Sequence, residues 1–214
     1  MSKIAIICAM EEELAPFRAL GDHEFILVKS GVGKVHAAIA AMDVIQQGAT
    51  HVIVAGVAGG IHRSLKIGDV TIAKSAIQHD VDVTALGFKP SEIPFTSRSR
   101  WDADPSLVEE LLESARELKI PTWGGCVLTG DRFVANANDV TYLRQTYNGI
   151  CLDMETAAVA HACFAKNVPW TAIRVISDTA DEKAHKDFGR FLESSAKKTA
   201  RIIERFTAIR KRGG

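Results

Sequence analysis

The 214 residues are 47% hydrophobic and 24% charged, the balance of an ordinary globular chain long enough for one large domain or two small ones. Lysine plus arginine and aspartate plus glutamate number 26 each, so no net field recommends a nucleic acid or an anionic membrane, and the expected partner is a small molecule. No apolar stretch approaches the ~20 residues of a membrane span, three glutamates follow the first apolar run, and Cys8, Cys126, Cys151 and Cys163 form no CxxC pair; the expectation is a cytoplasmic protein with no metal, disulfide framework or cofactor.

In chain order, Lys3–Cys8 reads as a strand and Glu12–Leu20 as a helix entered through Met10-Glu11-Glu12-Glu13. Glu24–Lys29 is a second strand. Ser30-Gly31-Val32-Gly33-Lys34 then turns into a helix over Lys34–Gln47. His51–Val57 is a strand leading into Ala55-Gly56-Val57-Ala58-Gly59-Gly60, read as a glycine-rich turn, and Asp69–Ala76 is the next strand. The segment Ala85–Asp102 resists regular patterning and is long for a connection, as lids and binding loops are. Asp104-Pro105 offers an N-cap and a first-turn proline for a helix over Pro105–Leu118. Gly125–Leu128 is a strand and Asn138–Tyr147 a helix; Met154–Lys166 is a helix stopped by Asn167-Val168-Pro169. Trp170–Ile176 is a strand, and a long helix runs from Lys186 to about Arg210. Strands alternating with helices, with no repeat or linker, predict a single α/β domain over residues 1–214: a three-layer sandwich with a central mixed, twisted sheet flanked by helices.

Three acidic motifs stand behind apolar runs: Met10 to Glu13 behind IAIICA, Asp153-Met154-Glu155 behind GICL, and Ser177-Asp178 behind WTAIRVI. Carboxylates are costly at buried strand ends, and open α/β sheets bind ligands there, so the three share one expected rim. Each also has an ordinary explanation. Acidic side chains suit a first helical turn, and successive residues diverge by about 100°, so at most one or two of Glu11, Glu12 and Glu13 face a cleft. Asp153 could be an N-cap before TAAVAHACFA, and Ser177-Asp178 could be a cap or turn pair. The glycine-rich segments admit close backbone approach to a ligand or serve only as tight turns; neither has P-loop or GxGxxG spacing.

MEEE, KSGVGKVHAA, AGVAGG, IGDV, HDVDVTALG, TGDRF, LDMETAAVAHAC and RVISDTAD, in that order, resemble the nucleoside phosphorylase/hydrolase superfamily, and within it the bacterial 5′-methylthioadenosine/S-adenosylhomocysteine nucleosidases. The resemblance implies Glu13 as the base that deprotonates water, Glu155 as the carboxylate holding the ribose hydroxyls and Asp178 as the acid at purine N7. It places Met154 under the sugar, Phe133 on the base with Val134 beside it, and Met10, Val32, Val57, Ala58, Gly59, Asp153 and Ser177 around the substrate. It further implies a homodimer in which Leu86 and Pro94 reach the neighbouring subunit's pocket while Phe188 comes from the same subunit. The chemistry agrees, because cleaving an N-glycosidic bond creates positive charge on the sugar and negative charge on the base, which carboxylates can meet without a metal.

Two departures bear on the substrate. After Leu20 the chain passes almost directly to Glu24–Lys29, where those nucleosidases usually have an extra hairpin-sized stretch, and Val57 stands where they typically carry serine, so a hydroxyl contact is missing. Rival readings are a purine nucleoside phosphorylase, a hydrolase of a bulkier adenosyl or futalosine-type nucleoside, and a non-catalytic nucleoside-binding protein. Phosphate sites need cationic or hydroxyl donors, whereas Glu13 repels phosphate and Val57 cannot bind it.

Overall fold

The computed structural model describes residues 3–20, 25–96, 98–180 and 184–213, with the side chains of residues 184–190 and of Gly213 outside that description. Among the described residues, eight strands and six α-helices follow in the order β1 (Ile4–Cys8), α1 (Glu11–Arg18), β2 (Phe25–Lys29), α2 (Lys34–Gln46), β3 (His51–Gly60), β4 (Val70–Gln78), β5 (Trp101–Asp102), α3 (Pro105–Glu117), β6 (Thr122–Thr129), α4 (Ala137–Tyr147), β7 (Gly149–Asp153), α5 (Thr156–Ala165), β8 (Trp170–Asp178) and α6 (Ala184–Gly213).

All strands belong to one mixed sheet. β2, β1, β3 and β8 run parallel, β4 pairs antiparallel with β8, and β6 and β7 pair parallel with each other. Because β7 also pairs with the end of β3, and β6 with β4, the strands β3, β7, β6, β4 and β8 close into a hydrogen-bonded ring. The expected mixed, twisted sheet flanked by helices is the observed fold, rolled up at one end. Every residue of β8 is buried, as a strand covered on both faces requires.

Helices take their places for local reasons. Asp104 accepts the Leu107 N–H at 2.9 Å with Pro105 behind it, which starts α3. Leu107 and Leu111 then bury one face of that helix, each contributing roughly 1.5–3 kcal/mol. α5 is small and apolar on nearly all sides, so it can lie close against Ala37, Ala40, Ala41 and Val44 of α2. α6 lies across β8 and β3 and receives α1 and α3 on its flanks.

Several boundaries differ from the sequence reading. AGVAGG is not a turn but the second half of β3, extended through Gly60. Glycines there serve close packing rather than chain reversal: a Cβ on Gly56 would fall 2.4 Å from Glu13 Oε1 and 2.5 Å from Arg174 Nη1. β7 realises the apolar run GICL ahead of Asp153, which the chain-order reading had not bounded as a strand, and the two-residue β5 inside Ala85–Asp102 was not expected. α5 begins at Thr156 rather than Met154, so Glu155 and not Asp153 occupies the N-cap position. Glu24, expected to open a strand, lies outside the described residues.

Candidate active site

The carboxyl ends of β1, β3 and β8, the β7–α5 junction and the loop after β6 surround a cavity of about 310 Å³. Glu13, Glu155, Asp178, Met10, Val32, Val57, Ala58, Gly59, Phe133, Val134, Asp153, Met154 and Ser177 all line it. Leu86 and Pro94 do not, and the side chain of Phe188 lies outside the described residues.

Of the three glutamates opening α1, Glu11 pairs with Arg18 in solvent, Glu12 is exposed, and Glu13 is 2% exposed. Glu13 reaches back from the third helical position: Oε2 accepts the N–H groups of Ala9 at 3.0 Å and Met10 at 3.1 Å, half of a capping box. Oε1 accepts the Val57 N–H at 3.0 Å. Both oxygens are therefore fixed by backbone from two elements. Burial raises the Glu13 pKa, against the opposing pull of Arg174 and the three amides.

Arg174, in the middle of β8, organises the rest. Its Nη2 lies 2.6 Å from Asp153 Oδ2, 3.5 Å from Glu155 Oε2 and 3.0 Å from Thr156 Oγ1, and its Nη1 is 3.5 Å from the Val57 carbonyl. Burial works against the charged guanidinium, but Asp153, Glu155 and Glu13 outweigh it and push its pKa up. The sequence reading gave Arg174 no role. The signal was present, since an arginine inside WTAIRVISD has to be paired if that run is a buried strand.

Asp153 lies at the cavity wall, yet its oxygens are committed to protein. Oδ1 accepts Thr129 Oγ1 at 2.5 Å, Oδ2 accepts the Thr156 hydroxyl, and the Thr156 N–H approaches at 3.2 Å. Glu155 is held by the Gly33 N–H on Oε1 at 3.1 Å, and its pKa is raised to about 7 by burial and by Asp153, against the pull of Arg174. At the end of β8, Asp178, 2% exposed, accepts Ser177 Oγ at 2.8 Å on Oδ2 and the Ala180 N–H at 2.8 Å on Oδ1. The cavity lining thus combines carboxylates gathered around a buried guanidinium, an aspartate with a hydroxyl neighbour, and apolar surface from Phe133, Val134 and Met154. That arrangement offers carboxylates able to take up and to deliver a proton.

The phosphorylase superfamily family model matches residues 17–208. Among solved structures, the chain is similar to futalosine hydrolase of Helicobacter pylori strain 26695, with 32% identity, 97% of each chain covered and a TM-score of 0.93. It is also similar to the 5′-methylthioadenosine/S-adenosylhomocysteine nucleosidase of the same species bound to butyl-thio-DADMe-Immucillin-A, with 32% identity, 97% of this chain and 98% of that one covered, and a TM-score of 0.93. The corresponding Neisseria meningitidis nucleosidase in complex with methylthio-immucillin-A matches at 32% identity over 97% and 99% of the two chains, with a TM-score of 0.92.

The raised Glu155 pKa fixes a pH dependence of stability. Folding takes up a proton on Glu155 between its ordinary 4.5 and about 7, so this group costs the fold stability as pH rises through that window; Glu13 acts in the same direction. Urea midpoints at pH 5 and pH 8 should therefore differ less in Glu155→Gln than in the parent. An unchanged pH difference would place the titration elsewhere.

Proposed function

Because the chain belongs to the phosphorylase superfamily, we propose that it is an N-ribosyl hydrolase that cleaves the N9-glycosidic bond of a 5′-substituted adenosine with water, releasing adenine and the 5-substituted ribose. The observation that carries this reading is the seat of Glu13: three backbone amides aim a buried carboxylate of raised pKa into the cavity, as a base for water requires. Phosphate fits this wall poorly as the nucleophile. Around the cavity Arg174 is engaged by Asp153 and Glu155, Arg132 by Asp139, and the nearby Lys34 by Asp80, while Glu13 and Glu155 repel a phosphate dianion.

In this reading the water oxygen bonds C1′ as Glu13 takes its proton, and Glu155 holds the ribose hydroxyls while positive charge grows on the sugar. Asp178 gives a proton to N7 as the C1′–N9 electron pair passes to the base, so adenine leaves neutral. The Ser177 hydroxyl, able to donate or accept, stays hydrogen-bonded to Asp178 before and after the transfer. Phe133 stacks on the base and Met154 lies under the sugar. Residues 1–214 form the one domain this needs.

The similar structures include a futalosine hydrolase as well as nucleosidases, so the 5′ substituent is the open variable. Val57 bears on it. Its N–H serves Glu13 while its side chain puts methyl groups on the wall where the resembling nucleosidases typically have a hydroxyl. We further propose that a second copy closes the 5′ end. Leu86 is 76% exposed and Phe95 99%, a costly display for a lone chain, and Leu86 and Pro94 are absent from this chain's own cavity wall. The loop spends only part of its apolar content this way, because Trp101 is buried and stacks on His161 at 4.2 Å.

Three outcomes test the reading. Glu13→Gln, Glu155→Gln and Asp178→Asn should each lower adenine release by at least about a hundredfold without unfolding the chain, and release should be indifferent to phosphate. Ribose 1-phosphate among the products would overturn hydrolysis, and no release from a panel of 5′-varied adenosines would overturn catalysis on this class. Val57→Ser should raise turnover of methylthioadenosine modestly; a fall would make the apolar side chain part of a differently shaped sugar pocket. Leu86→Asp should weaken association in sedimentation and raise KM more for apolar 5′ groups than for adenosine, and a fully active monomeric parent would refute the shared pocket.

A further inference from the structure

Three residues that do not line the cavity tie its two halves together. α2 starts at Gly33, whose φ of 98° leaves two successive amides at the helix start pointing to different partners. The Gly33 N–H goes to Glu155, while the Lys34 N–H goes to Asp131 Oδ1 at 2.8 Å, in the loop between β6 and α4. Asp131 thereby caps α2 from a distant part of the chain. Asp80, just beyond β4, completes the link: Oδ1 accepts Lys34 Nζ at 2.6 Å and Oδ2 accepts the Asp131 N–H at 2.9 Å. The pair is partly shielded, with 18% exposure at the Lys34 side chain and 27% at Asp80. Gly130 makes room for the approach, since a Cβ there would fall 2.5 Å from His79 Nε2 and 3.2 Å from Asp80 Cγ.

We propose that Lys34, Asp80 and Asp131 form a positioning clamp that sets the distance between the carboxylate on the sugar side and the aromatic shelf for the base. Arg132, Phe133 and Val134 follow Asp131 directly and line the cavity, whereas Gly33 directly precedes Lys34 and holds Glu155. Asp80 fixes the start of α2 to the β6–α4 loop through both its oxygens. Loosening it lets the shelf move relative to Glu155 without touching any group that meets the ligand. Misplacement by about an ångström is enough to cost a large factor in binding or rate.

The inference rests on the nucleoside reading for its consequence but not for its geometry, so two measurements are paired. In hydrogen exchange without ligand, Lys34→Met and Asp80→Asn should each speed deuterium uptake in residues 130–136, and unchanged uptake in both would overturn the clamp whatever the ligand. In calorimetry with adenine, each should weaken binding by about tenfold, Lys34→Arg should recover most of it, and the double variant should be no worse than either single, as for residues acting through one contact. In turnover, KM should rise more than kcat falls. Parent-like adenine affinity in both single variants, or additive losses in the double, would refute the positioning role. If the parent binds no adenine, the nucleoside reading fails while the exchange result still decides the clamp.

Discussion

The guanidinium of Arg174 sits 1% exposed in the middle of a strand buried on both faces, and the site is arranged around satisfying it. An unpaired charge there is prohibitive, and removing one partner from such a pair typically costs about 3–5 kcal/mol. Asp153 meets that need directly, and Thr129 and Thr156 in turn hold Asp153. The β6 end, the β7 end and the start of α5 are thus drawn onto β8 by one hydrogen-bonded set. Gly56 completes it, because only a residue without Cβ lets Glu13 and Arg174 approach the same point of β3.

A buried ionic cluster is a poor way to stabilise a fold, since well-packed apolar residues serve as well or better. What it provides here is a graded set of carboxylates. Asp153 takes the short contact to Arg174, Glu155 receives a longer one and is raised to about 7, and Glu13 is held by amides with its pKa raised by burial. Glu155 and Glu13, both raised chiefly by burial, are carboxylates of the kind acid–base chemistry requires.

Much of this was legible in the sequence, for a specific reason. Glu13, Glu155 and Asp178 each follow an apolar run, and a carboxylate at a strand end is costly enough to stand out. Arg174 was harder to read because its partners lie 21, 19 and 18 residues earlier at Asp153, Glu155 and Thr156, and only the sheet brings them together. AGVAGG misled because glycine signals a turn when neighbours are unknown; in β3 its glycines answer to side chains arriving from α1 and β8. The roles of Lys34, Asp80 and Asp131 were hidden for the same reason, since a helix start and two loops far apart in sequence contribute to a single cluster.

One irregularity in the sheet shows how little separates this site from an inert strand end. β3 and β8 run in regular parallel register from Val52 opposite Trp170 to Ala58 opposite Ile176, and the next pair would be Gly59 with Ser177. Instead the register slips and Gly59 faces Asp178, while the Ser177 hydroxyl turns to the Ala58 carbonyl at 3.4 Å and to Asp178. A bulge of one residue re-aims every side chain beyond it, because the side-chain period along a strand is two. Gly59 leaves room at the slip, since a Cβ there would lie 3.0 Å from Asp178 Oδ1. The same β3–β8 ladder that seats Arg174 therefore also delivers Asp178 to the cavity wall. Where Asp178 stands on the cavity wall is set by backbone register, before any side-chain rotamer is chosen.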